Sequence, residues 1–187
     1  FDHFGILSRY DKIRPTPTGH RRTIFSVGPA LLWMPFYAAG GHWGAFVFMV
    51  LAAALAARAV FDLAEQLTSS TVAAVTWAAV TFSIPFGLQS GLIFPEIPAA
   101  LVMAWSARWL WARVPDRAAP WVWRGAALGL LPWLHTKFAL LTVAVAVWML
   151  VKIRWRPGLA TAFLLPIAFS VAGWLLFFYL IYGTPNP

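Results

Sequence analysis

The sequence predicts an all-α fold, a polytopic bundle of transmembrane helices. Three observations predict it. Hydrophobic residues make up 61% of the 187-residue chain and charged residues 11%, whereas soluble domains average about 45–50% and about 25%. The mean hydropathy is +0.73. Apolar runs approaching membrane length recur along the chain, and lysines and arginines fall mostly between them. High hydrophobicity with few charges excludes intrinsic disorder. The absence of cysteine excludes a disulfide scaffold, a thiol nucleophile and cysteine-ligated metal centres. The net charge of +8 forms no single basic stripe, so it does not indicate nucleic acid.

The elements follow from length and punctuation, a spanning helix needing about 20 mostly apolar residues. Residues 1–23 read as an external basic loop, and 24–187 as the transmembrane domain. Residues 24–39 are apolar but short and carry Gly28, Pro29 and Pro35, which suits an interfacial or re-entrant helix. About four full spans follow, at 43–63, 71–88, 95–112 and 159–182. In the third, Pro95 and Pro98 lie near the helix start, where proline costs little. In the last, Pro166 is a kink candidate. Residues 121–151 are too long for one span and too short for two, and the polar stretch His135-Thr-Lys137 interrupts them. They read as a broken pair of short helices meeting at an elbow. The chain begins without methionine and ends in a turn-like segment, so a piece of a longer protein is expected.

Lysine and arginine in short loops set orientation. Arg58, the cluster Arg108, Arg113, Arg117 and Arg124, and the cluster Lys152, Arg154 and Arg156 put 58–70, 108–124 and 152–157 in the cytoplasm. The 89–96 loop, the elbow and the C-terminal tail then face outward, as does 1–23. That basic outer segment departs from the positive-inside pattern, as a loop holding an acidic ligand would, or a mis-set topology.

Few polar groups can carry chemistry. Asp62, Glu65 and Asp116 lie beside arginines and read as solvated ion pairs. Glu96 stands at the outer mouth of a helix otherwise free of acids. An acid at membrane depth is a functional candidate, though a carboxylate in a first helical turn also suits the helix dipole. Lys137 must reach water, a carboxylate or a phosphate, or else snorkel to the interface. His135 adds a donor or proton carrier two residues away. His20, Arg21 and Arg22 follow Thr16-Pro-Thr-Gly, a run able to hold an anion. No histidine pair has metal-ligand spacing, and no phosphate-binding, dinucleotide or serine-hydrolase motif occurs. The 12 tryptophans mostly flank the spans, as an aromatic belt does.

Four segments in order carry a resemblance: residues 16–36, Leu92-Ile-Phe-Pro-Glu-Ile-Pro-Ala-Ala-Leu (92–101), Gly125-Ala-Ala-Leu-Gly-Leu-Leu-Pro-Trp-Leu-His-Thr-Lys-Phe-Ala-Leu-Leu (125–141) and Tyr182-Gly-Thr-Pro-Asn-Pro (182–187). Together they resemble the N-terminal half of bacterial GT-C glycosyltransferases, the superfamily of protein mannosyltransferases and aminoarabinose transferases. The resemblance implies a polyprenyl-phosphate sugar donor used at the outer face of the bacterial inner membrane. It also implies a carboxylate base in the first external loop and basic groups that stabilise the lipid-phosphate leaving group. Carried onto this chain, it makes Glu96 the catalytic candidate and Asp11 a weaker one, with His135, Lys137, His20, Arg21 and Arg22 as substrate-binding candidates. No cofactor is evident, no metal site is expected and a divalent-ion requirement is open. Expected partners are membrane lipids, the lipid-linked sugar and other subunits of a membrane complex. The family's base precedes the first residue in this alignment of motifs, so a non-catalytic membrane subunit with a GT-C-like fold is the alternative. A transporter is a weaker one, because only one interrupted helix is convincing.

Overall fold

The computed structural model describes residues 17–19, 26–154 and 156–184, and among them every regular element is helical. The elements are α1 (Val27–Leu67), α2 (Ser70–Thr81), α3 (Ile84–Ser90), α4 (Glu96–Trp111), α5 (Ala118–Gly129), the one-turn α6 (Leu131–Leu134), a 3-10 turn (Thr136–Phe138), α7 (Ala139–Lys152) and α8 (Pro157–Tyr182). Two of them, α1 and α8, are long and apolar enough to cross a membrane, and α2 with α3 makes a third if the bent pair is one span.

Helix α1 is a hairpin. Gly40 and Gly41 leave helical geometry, Gly41 with φ +59°, a left-handed value that glycine adopts without strain. The first arm folds back onto the second so closely that a Cβ at Gly44 would overlap the Phe36 carbonyl. Phe36 and Phe48 then pack across the hairpin with ring centres 4.9 Å apart and planes tilted by 41°. The two arms correspond to the segments read from sequence at 24–39 and 43–63.

The expected single span at 71–88 is instead two helices bent by 64°. Pro85 lies in the first turn of α3, where it has no N–H to continue the ladder and its ring excludes the carbonyl four residues back. Ser83 takes extended geometry between them, and its hydroxyl donates to the Val80 carbonyl at 2.7 Å. The segment expected at 95–112 forms α4, whose 16 residues extend only about 24 Å. That is short of a bilayer core of about 30 Å.

The tightest packing joins α5 to α8. Gly125 and Gly129, four apart, bring the two backbones together: a Cβ at Gly125 would overlap the Phe163 carbonyl, and one at Gly129 would lie 2.8 Å from Ser170 Cβ. Small residues at this spacing permit close helix approach where lipid removes the hydrophobic drive between helices. Trp121, fully buried, meets Phe163 edge-on at 5.9 Å. Ser170 Oγ donates to the Gly129 carbonyl at 2.6 Å and accepts from Trp133 Nε1 at 3.1 Å. This core, with Leu128, Leu131, Leu134, Met149 and Ile153, runs from α5 into α7 and α8.

Among the described residues, most of the charges collect at one end of the bundle. Asp62 bridges Arg58 at 2.8 Å and Arg108 at 3.5 Å, and Arg156 bridges Asp116 at 2.7 Å. Lys152 Nζ donates to the carbonyls of Trp109, Leu110 and Ala112, closing the C-terminus of α4. Burial, and secondarily the charge of Arg124, lower the Lys152 pKa from its ordinary value. Arg124, only 8% exposed, is sandwiched between Trp121 at 4.5 Å and Trp109 at 5.5 Å.

Replacing Gly125→Val should destabilise the protein by about 3 kcal/mol or more, because the Phe163 backbone blocks the added carbons. Gly158 meets nothing within 4 Å, so Gly158→Ala should be neutral or gain about 0.5 kcal/mol. Thermal unfolding in detergent micelles checks both. Equal effects at the two positions would contradict the close approach of α5 and α8.

Candidate functional site

The site lies at the end opposite the charge cluster, where three chain segments far apart in sequence meet. The first arm of α1 contributes Ser26, Pro29, Ala30 and Trp33, the α3–α4 connection Ile93, Phe94 and Pro95, and the elbow Leu134. Glu96, His135 and Lys137 supply the polar corner of this cavity of about 580 Å³.

Local structure places each polar group. Pro95 caps α4 and Glu96 opens its first turn, where a carboxylate suits the helix dipole. The elbow exists because Pro132 sits in the first turn of the four-residue α6 and His135 is extended, at φ −167° and ψ 139°. Non-helical backbone among apolar side chains needs hydrogen-bond partners within the protein. Trp133, hydrogen-bonded to Ser170, anchors the elbow to α8. A Cβ on Gly28 would overlap the Trp133 carbonyl, so the elbow also lies against the first arm of α1. On the far side, Thr142 Oγ1 donates to the carbonyls of Phe138 at 3.2 Å and Leu128 at 3.3 Å.

Lys137 Nζ donates to Glu96 Oε1 at 3.1 Å across 41 residues of sequence. Lys137 also stands 5.0 Å from the Phe138 ring centre. Glu96 Oε2 is buried without a hydrogen-bond partner. His135 Nδ1 accepts from the Lys137 backbone N–H at 3.2 Å, capping the 3-10 turn. The sequence reading missed this role because histidine is not among the usual capping residues. It also missed Trp33, which looks like core in a Leu-Leu-Trp-Met run yet lines the cavity.

The structure therefore brings together Glu96, His135 and Lys137. Asp11, His20, Arg21 and Arg22 lie outside the described residues. Asp62 and Asp116 are held in ion pairs at the other end, and Glu65 accepts from Ser70 Oγ at 2.8 Å. Among the described residues, no three His, Asp or Glu side chains converge as a metal site would require.

The chain matches no known protein-family profile, no curated protein and no solved structure. The functional reading therefore stands on the site itself.

The Lys137 and Glu96 side chains are 52% and 37% exposed, so their pairing contributes no more than about 1 kcal/mol. Glu96→Gln and Lys137→Met should each change stability by less than about 1 kcal/mol in thermal unfolding. A loss above about 3 kcal/mol would make the pair a folding element, as for buried pairs with one partner removed.

Proposed function

We propose that this chain is part of a GT-C-like glycosyltransferase that binds a polyprenyl-phosphate sugar at the outer face of the bacterial inner membrane. One observation carries the reading: Glu96 and Lys137, 41 residues apart, meet at the polar corner of a cavity with otherwise largely apolar walls. A lipid-linked sugar needs that combination. Its phosphoryl oxygens require donors, and the Lys137 ammonium has three N–H groups, of which Glu96 takes one. A sugar or acceptor hydroxyl requires an acceptor, and Glu96 Oε2 has no other partner. The proximal isoprene units require apolar contact, which Pro29, Ala30, Trp33 and Phe94 offer.

In the transfer, the acceptor hydroxyl oxygen attacks the anomeric carbon as the bond from that carbon to the phosphate oxygen breaks. The hydroxyl proton passes to a carboxylate, for which Glu96 is the candidate, and the lipid phosphate leaves with the bonding electrons. Lys137 stabilises the charge that grows on this leaving group. Asp11 remains the weaker candidate base.

A second reading is a non-catalytic subunit that keeps the lipid-phosphate cavity and packs with other membrane proteins. It is favoured by the commitment of one Glu96 oxygen to Lys137, which leaves only the buried, unpartnered Oε2 for chemistry.

Reconstitution in phosphatidylcholine vesicles separates the two readings. Binding of polyprenyl-phosphate sugar should fall about tenfold or more in Lys137→Ala, and sugar transfer should fall about tenfold or more in Glu96→Gln. Binding without any transfer by the unaltered protein marks the subunit. No binding by the unaltered protein overturns both.

A further inference from the structure

His135 carries more information than its place in the cavity wall. Its Nδ1 accepts a hydrogen bond from the Lys137 backbone N–H at 3.2 Å. A nitrogen that accepts carries no proton, so the neutral ring bears its hydrogen on Nε2. The backbone of the elbow thus selects the tautomer, as a backbone carbonyl does from the opposite sense in many metal-binding histidines. His135 also lines the cavity, and its ring is steadied edge-on by Phe138 at 6.0 Å. With Nδ1 turned to its own backbone, Nε2 is the nitrogen left for the cavity, and no described residue bonds it.

We infer that His135 is a tautomer-locked positioning residue, whose Nε2–H donates a hydrogen bond to a phosphoryl oxygen of the bound lipid-linked sugar. This deepens the reading of the cavity as a polyprenyl-phosphate site and rests on it. Among Glu96, His135 and Lys137, the division of labour follows from their bonds. Glu96 is an acceptor, Lys137 is a cation already facing a carboxylate, and His135 is a donor through Nε2 while its Nδ1 accepts from the backbone. His135 is therefore not the base of the transfer, because its accepting nitrogen is spent on the chain itself. Its donor also does not depend on the Glu96–Lys137 pair opening.

Two substitutions separate cap from donor. His135→Asn places a carbonyl oxygen near the Nδ1 position and keeps the cap, but offers no donor at the Nε2 position. His135→Gln places its amide donor near Nε2 and abandons the cap. Binding of polyprenyl monophosphate in phosphatidylcholine vesicles, with inorganic phosphate as a second probe, is read beside thermal unfolding. His135→Asn should keep the unfolding temperature and weaken polyprenyl monophosphate binding about tenfold, the scale of one hydrogen bond to a charged group. His135→Gln should lower the unfolding temperature by several degrees and leave binding within about threefold, well under the loss of that bond. Inorganic phosphate should bind weakly and respond in the same order, since it shares the oxygens and lacks the lipid.

Nitrogen-15 labelling of the histidine rings in the unaltered protein reads the tautomer directly. At a pH where the ring is neutral, the signals lost in His135→Asn should show an unprotonated Nδ1 and a protonated Nε2. The reverse assignment, unchanged binding in His135→Asn, or equal loss in both variants overturns the inference. If Lys137→Ala also leaves binding unchanged, the lipid-phosphate reading itself fails. If Lys137→Ala weakens binding while His135→Asn does not, only the role of His135 fails.

Discussion

The close approach of α5 and α8 at Gly125 and Gly129 is the constraint on which the rest of this structure depends. It sets the backbones near enough for Ser170 to join the Gly129 carbonyl to the Trp133 indole. Trp133 then fixes the elbow, and the elbow fixes His135 and Lys137. A helix interrupted in an apolar environment exposes amides and carbonyls that cost several kcal/mol each if unpaired, on the order of 2–7. Here the interruption is tolerated because α8, the first arm of α1 and the capping histidine surround it. The polar corner of the cavity is a consequence of where the chain can afford to stop being helical.

The two ends of the bundle use charge differently. At one end, Asp62, Arg108, Asp116 and Arg156 pair locally, and Lys152 saturates the carbonyls that end α4. At the other end of α4, Glu96 holds a single cation, and its second oxygen is buried without a hydrogen-bond partner. Buried polar atoms without a hydrogen-bond partner occur at both ends of this helix, Glu96 Oε2 at its start and Arg108 Nε and Arg124 Nη1 near its end.

Much of this was legible in the sequence, for identifiable reasons. Composition alone pointed to long apolar helices, two of which are long and apolar enough to cross a membrane, and the break at His135-Thr-Lys137 was visible because polar residues interrupt an apolar run too long for one span. Glu96 stood out as an acid at the mouth of an apolar helix otherwise free of acids. The bend between α2 and α3 was less legible, because Ser83 and Pro85 interrupt a run whose hydrophobicity continues unbroken. The hairpin at Gly40–Gly41 was read only as a gap between segments, since a glycine pair does not reveal whether two arms pack together. The capping role of His135 was hidden because it depends on a backbone angle rather than on residue type. The Glu96–Lys137 contact joins residues that no local pattern connects.

The central claim is that the mouth of α4 and the elbow share one cavity. The chain has no cysteine, so introduced pairs report without background. In membrane vesicles, the double variant Glu96→Cys/Lys137→Cys should form an intramolecular cross-link with a short bifunctional thiol reagent. Glu96→Cys/Lys152→Cys, whose positions lie at opposite ends of α4, should not. Cross-linking of the second pair, or failure of the first, would contradict the shared cavity.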